Sequence, residues 1–130
     1  YLFEMNSKKR IELIRLAYNS LETYYDDRIA LVSITEKQMK RLRATEDEAG
    51  SLVNIPRSLE SAIVSMSFRE IDSETVKVSI RSQLVDAAKL AQQFGGGGHE
   101  RAAGCTVKGT LEDVKQKLYD EIKIIKKLRI

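Results

Sequence analysis

The sequence is poor in the residues that build self-contained reactive centres. Its 130 residues include one cysteine, one histidine, one proline and no tryptophan. A single cysteine forms no internal disulfide and supplies no paired thiolate ligands, a usage that fits a reducing cytosol. A single histidine excludes an HExxH or multi-histidine zinc site. A self-contained metallohydrolase is therefore not expected. No apolar run approaches the roughly 20 residues of a membrane span, and no signal-peptide pattern opens the sequence. A cytoplasmic setting without membrane attachment follows as the expectation. The charge excess is also small: 22 basic against 19 acidic side chains leave +3, too little by itself to argue for nucleic acid.

What is present reads as an ordinary globular chain, 42% hydrophobic and 32% charged, of a length that suits one compact domain. Because the sequence opens on Tyr1 rather than methionine, it is expected to be cut from something longer. Ile11, Ile14, Tyr18, Leu21 and Tyr25 recur at helical spacing with Ala17 alongside, which predicts a helix capped by Ser7 and running to Tyr24 or Tyr25. Residues 28–34 hold a nearly continuous apolar run, typical of a strand covered on both faces. Thr35 with Gln38, and Thr45 with Glu48, read as capping boxes opening two short helices. Pro56 marks the end of the second.

The clearest strand signal follows. Ala62, Val64, Met66 and Phe68 alternate with polar residues, as do Val76, Val78 and Ile80, with 71–74 as the turn of a hairpin. Asp86 caps a helix carrying Ala87, Leu90, Ala91 and Phe94, and Gly95 stops it. A glycine-rich stretch then leads into a strand over 103–108. Thr110 opens a last helix with Leu111, Val114, Leu118, Ile122 and Ile125 inward. Acidic Glu112 and Asp113 at its start and basic Lys126, Lys127 and Arg129 at its end complement the helix dipole. The order predicts a single α/β domain: a mixed β-sheet flanked by helices, with a β-hairpin and a Gly-rich loop after a helix.

Two constellations carry candidate chemistry. Four consecutive glycines, Gly95-Gly96-Gly97-Gly98, run directly into His99, and Ala102-Ala103-Gly104 follows. Backbone without side chains approaches a ligand closely and aims N–H groups at an anion, usually a phosphate. His99 adds a directional donor whose charged form a phosphate favours. A helix stop with a flexible turn accounts for one or two glycines, but not readily for four followed by histidine and Ala-Ala-Gly. The residues alone leave both readings open. The second constellation is Ser79-Ile80-Arg81-Ser82. Ser79 and Arg81, two apart, share a strand face opposite Val78 and Ile80, and a guanidinium flanked by hydroxyls suits phosphate or ribose, although a solvated strand face is the plainer reading. Elsewhere the plainer reading wins. Cys105 reads as a buried, inert thiol, the basic stretch over 123–129 as a solvated helix face, and Glu46-Asp47-Glu48 as helix-start chemistry. Tyr24 and Tyr25 read as core or interface residues, and Asn54 either bonds locally or faces the site.

The run Gly96-Gly97-Gly98-His99-Glu100-Arg101-Ala102-Ala103-Gly104 resembles the GGGHxxAAG motif of the DHH-family phosphoesterases. That motif belongs to their smaller C-terminal, DHH-associated domain, and Val78-Ser79-Ile80-Arg81-Ser82 is similar to the family's serine-arginine-serine strand. The nearest branch by resemblance is the bacterial nanoRNase group of oligoribonucleases and phosphoadenosine-phosphate phosphatases. The resemblance implies a two-domain enzyme. A larger N-terminal domain would hold two manganese ions, and the smaller domain would grip short single-stranded RNA or small nucleotide phosphates across a cleft. Gly96, Gly97, Gly98, His99, Ala102 and Ala103 would form the cradle, with Ser79, Arg81 and Ser82 approaching it. Arg101, at a variable position of the motif, and Asn54 are further candidates. No DHH triplet or D-x-D motif occurs in the sequence. This chain is accordingly expected to bind no metal itself and to hold no catalytic residue. Residues 1–27 would be a linker helix toward the missing domain, and 28–130 the substrate-binding domain. Two alternatives remain at this stage: a nucleic-acid-binding module like the C-terminal domain of alanyl-tRNA synthetases, and a cyclic-dinucleotide phosphodiesterase domain.

Overall fold

A computed structural model describes residues 2–126, with side chains placed for 8–50 and 52–124. The basic residues Lys127 and Arg129 expected at the last helix end lie outside the described residues, as does the side chain of Ile125. In chain order the elements are α1 (Leu2–Ser20), β1 (Glu22–Tyr24), β2 (Ile29–Ile34), α2 (Glu36–Leu42), α3 (Glu46–Gly50) and, after a 3-10 turn at Ser51–Val53, α4 (Asn54–Arg57). The hairpin strands β3 (Val64–Asp72) and β4 (Thr75–Ser82) follow. The chain ends with α5 (Ala87–Gln92), β5 (Gly97–His99), β6 (Ala102–Lys108) and α6 (Leu111–Lys126). The strands form one mixed sheet in the order β1-β2-β3-β4-β6-β5. Only β2 and β3 run parallel among the described pairs, so the two short helices and the single turn α4 make the crossover a parallel pair requires.

Local chemistry explains most boundaries. Thr35 and Gln38 form the reciprocal capping box of α2, the Thr35 hydroxyl accepting from the Gln38 N–H and the Gln38 side chain accepting from the Thr35 N–H. Thr45 and Glu48 do the same ahead of α3. The Asp86 carboxylate accepts the Lys89 N–H at the start of α5, and Thr110 accepts the Asp113 N–H at the start of α6. Pro56 is tolerated inside α4 because a single helical turn has free N–H positions at its start, where a missing donor costs nothing.

Two cores sandwich the sheet. On one face α5 and α6 pack Leu90, Ala91, Val114, Leu118 and Ile122 against Met66, Phe68, Val78 and Ile80 of the hairpin. On the other, α1, α2 and α3 place Leu13, Ala17, Met39 and Ala49 over Val32 and Ile34 of β2. Strand β2 is thus covered on both faces, as its unbroken apolar run predicts. The second layer stops short of the far strands. Ser65 and Ser67 of β3 are buried, whereas Ser79 and Arg81 beside them on β4 are only partly covered.

Three local expectations need correction. Helix α1 ends at Ser20 rather than at Tyr24 or Tyr25, Ser7 lies inside it rather than capping it, and Tyr24 belongs to edge strand β1. Its buried stripe is Leu13 and Ala17, while Ile11 and Tyr18 stand exposed; helical period fixed the spacing of the stripe but not its phase. Finally, the Gly-rich segment is not a free loop. Gly97–His99 is a strand paired with Ala102–Gly104 in register.

Candidate anion-binding site

Directly paired residues of antiparallel strands point to the same face, so the register builds the site row by row. Ser65 pairs with Arg81, Arg81 with Ala102, and Ala102 with His99. The next row on that face is Ser67, Ser79, Gly104 and Gly97, and beyond it lie Arg69, Lys77 and Thr106. The uncovered part is a shallow floor of Ala102, Gly104 and Gly97, walled by Ser79 and Arg81 on one side and by His99 on the other. Arg81 and His99 sit two strand spacings apart, about 10 Å. The interposed Ala102 contributes only a methyl group, so a ligand reaches both.

The β5–β6 hairpin that carries His99 is pinned at its turn. The Ala87 N–H, at the start of α5, donates to the Glu100 carbonyl at 2.8 Å, and the Ser82 N–H donates to the Arg101 carbonyl at 3.0 Å. The glycines divide by role. A Cβ on Gly98, whose φ is +144°, would come within 2.6 Å of the Ala103 Cα, and one on Gly96 would lie 2.6 Å from the Cys105 Cβ. Those two let β5 lie close against β6. A Cβ on Gly97 would meet nothing within 4 Å. Nothing in the fold demands glycine at 97, and its bare backbone faces the open floor.

The sequence candidates therefore separate. Ser79, Arg81, Gly97, His99 and Ala102 share the open face. Ser82 does not: it follows the opposite parity, is buried, and its hydroxyl accepts the Leu84 N–H at 3.3 Å. Ala103 is likewise buried in the core beneath, with Gly98 paired to it. Asn54 is exposed at the start of α4, where its carbonyl accepts the Ser58 N–H. Three residues further on, Arg57 lines a cavity of about 260 Å³ together with Ser65, Arg81, Ser82, Gln83 and Arg101. Arg57 escaped the sequence reading because a basic residue closing a one-turn helix looks like any surface arginine; only the packing of α4 at the base of β3 brings it to Arg81.

Charge is distributed unevenly along this face. At its far end Arg69 and Lys77 both bind Glu46, the Arg69 contact at 2.8 Å. The hydrogen bond and charge of Lys77, with Arg69 beside it, hold the Glu46 carboxyl below the usual carboxylate range. At the near end no such neutralisation occurs: among the described residues no carboxylate pairs with Arg57, Arg81 or Arg101. Arg81 donates to the Ile80 carbonyl at 3.0 Å and Arg101 to the Gln83 carbonyl at 3.1 Å, which orients each guanidinium and leaves further N–H groups for a ligand. Cys105 lies beneath the floor, its thiol pushed up to about 11 by burial, far from a nucleophile's range. Among the described residues no three His, Cys, Asp or Glu side chains gather as a metal site.

Comparison with known proteins finds relatives in sequence and in fold. The bifunctional oligoribonuclease and PAP phosphatase NrnA of Thermus thermophilus is 45% identical over 65 residues, covering 49% of this chain and 20% of that protein. An exopolyphosphatase-related protein from Bacteroides fragilis superposes with a TM-score of 0.76 at 30% identity, over 91% of this chain and 36% of that one. A pGpG-specific phosphodiesterase from Vibrio superposes at 0.62 with 15% identity, over 95% of this chain and 40% of that one, a likeness of fold alone. The chain spans between a fifth and two-fifths of these relatives' lengths. The DHHA1 domain family matches residues 26–127, and the chain belongs to that family.

Proposed function

We propose that this chain is the substrate-gripping domain of a phosphoesterase that hydrolyses short oligoribonucleotides or small nucleotides. The observation that carries the reading is the row Arg81–Ala102–His99, two directional donors across a floor with no bulk in it. A phosphodiester oxygen sits between a guanidinium fork and an imidazole, and the bare Gly97 backbone lets the sugar-phosphate chain lie against the sheet. Ser79, one row on, supplies a hydroxyl for ribose or a neighbouring phosphate. The resemblance to oligoribonuclease and PAP phosphatase relatives supports this substrate class over the cyclic-dinucleotide enzyme, since the likeness to the pGpG phosphodiesterase is one of fold.

In this proposal the hydrolytic chemistry comes from a separate, N-terminal DHH domain carrying two manganese ions, with the segment over 1–27 leading toward it. The present residues bind and orient the substrate. Their grip acts at one wall of a cleft, so affinity for the chain alone is expected in about the high-micromolar range or weaker. The test is a titration of the 130-residue chain with a short oligoribonucleotide, followed by amide chemical shifts. Shifts concentrated at Arg81, Gly97, Gly98, His99 and Ala102 are expected. Shifts confined to α6 or to the edge strand β1 would place nucleic acid elsewhere and overturn the reading. Tight, salt-insensitive binding would favour an autonomous binding module instead.

A further inference from the structure

We propose that Glu46 is a specificity-determining residue: a carboxylate that neutralises the far end of the anion-binding face and so restricts the grip to short chains. The inference rests on the function proposed above and adds a length limit to it. Strand β4 carries Arg81, Ser79 and Lys77 on one face, and Arg69 of β3 pairs directly with Lys77. Rows two residues apart lie about 7 Å from one another, which puts Lys77 about 14 Å from Arg81. A polyanion leaving Arg81 along β4 would therefore meet two more cations in line. Those cations are already engaged: the same Glu46 Oε1 accepts from Arg69 at 2.8 Å and from Lys77.

Glu46 is the exception among its neighbours. Glu48 turns back to the Thr45 N–H and to Lys9, and Asp47 stands exposed. Of these three acids, only Glu46 pairs with the sheet among the described residues. Its side chain is 60% exposed, so no packing requires it there, and exposed ion pairs contribute little to stability. Its charge does more. A fixed carboxylate at the end of a positive face repels the next phosphate of a longer chain. A phosphate held at Arg81 is spared, because the distance exceeds the Debye length of about 10 Å at 0.1 M salt. Selectivity of this kind comes from a repulsive element aimed at the wrong ligand. Ser79, Lys77, Arg69 and Glu46 line one hollow of about 70 Å³, the place that next phosphate would take.

The experiment titrates the 130-residue chain with adenylyl-adenosine and with the adenosine hexanucleotide, both without terminal phosphates. The parent should gain from length only the few-fold statistical factor of extra binding registers. Glu46→Gln should leave the dinucleotide affinity unchanged and bind the hexanucleotide about tenfold tighter than the parent does. Its log K should also fall more steeply with log salt, by about 0.7 for each phosphate newly neutralised. Lys77→Gln added to Glu46→Gln should remove most of that gain, and Asp47→Asn, an equal change of charge, should not produce it. A residue that only pins α3 gives lower stability without length dependence in Glu46→Gln, and that result overturns the inference. Inorganic phosphate, read at the Arg69 Nε–H and Lys77 side-chain resonances, provides the independent arm. It should shift them in Glu46→Gln and not in the parent. If neither nucleotide binds but phosphate behaves this way, the electrostatic stop stands and the nucleotide reading falls. Shifts of the same size in both proteins, or in neither, overturn the stop whatever the nucleotides do.

Discussion

Arg81 and His99 flank the same residue, Ala102, from its two sides in a single cross-strand row. Ala102 stands between them in the row, so their joint action depends on what fills the space above it. Arg81→Ala and His99→Ala should each weaken oligoribonucleotide binding about tenfold to a hundredfold, the value of one charge-assisted hydrogen bond. Both positions lie on the open face, so thermal midpoints should barely move. Ala102→Leu should weaken binding comparably without removing any donor, because its side chain rises into the ligand's place. Calorimetric titration of the three variants checks this. Unchanged affinity in all three would leave the row as ordinary sheet surface.

The glycines give a second, opposed pair of outcomes. Gly98→Ala and Gly96→Ala force a methyl into contact with β6, and overpacking of that kind costs about 1–3 kcal/mol. Both should lower stability in chemical denaturation, Gly98→Ala also through its φ of +144°. Gly97→Val meets open space and should fold normally, yet lose ligand affinity because a branched side chain stands on the floor. If Gly97→Val binds as well as the parent, the ligand does not approach this backbone.

Much of this architecture was legible in the sequence, and the remainder failed for identifiable reasons. Caps announce themselves because a Thr or Asp and its partner three residues on are local chemistry; Thr35, Thr45, Asp86 and Thr110 all act as expected. The pairing of Ser79 with Arg81 on one face followed from strand period alone. Ser82 does not share the open face with Arg81, because strand parity turns it to the buried side, although it still lines the cavity beside Arg57. Strand β5 was missed because a run of glycines carries no alternation to read, and its pairing is set by β6. Arg57 was invisible because its place beside Arg81 exists only after the crossover brings α4 to the base of β3.

The first helix tests how far the packed unit extends. Leu13 is 1% exposed and Ala17 fully buried against the second core, so α1 is more than an approach to the domain. Leu13→Ala should destabilise the chain by about 2–5 kcal/mol, the usual range for a buried leucine that leaves a cavity. Tyr18→Ala, at an exposed position of the same helix, should cost little. Equal, small effects from both in urea denaturation would show that α1 does not share the cooperative unit.

Cys105 gives a pH-dependent signature. It faces the core opposite the proposed floor, and burial raises its thiol from about 9 to about 11. The folded chain thus resists ionising a thiol that the unfolded chain ionises readily. Its contribution to stability is complete below pH 9 and is lost progressively as pH rises from about 9 to about 11. Over that window the parent should lose about 2–3 kcal/mol more than Cys105→Ala, a comparison in which tyrosine and lysine titrations cancel. Alkylation of the native chain at pH 8 should be slow and should accelerate on unfolding. Ligand affinity at neutral pH should be the same for both proteins. A parallel pH dependence of stability in parent and variant would mean that Cys105 is not held in the apolar core as described.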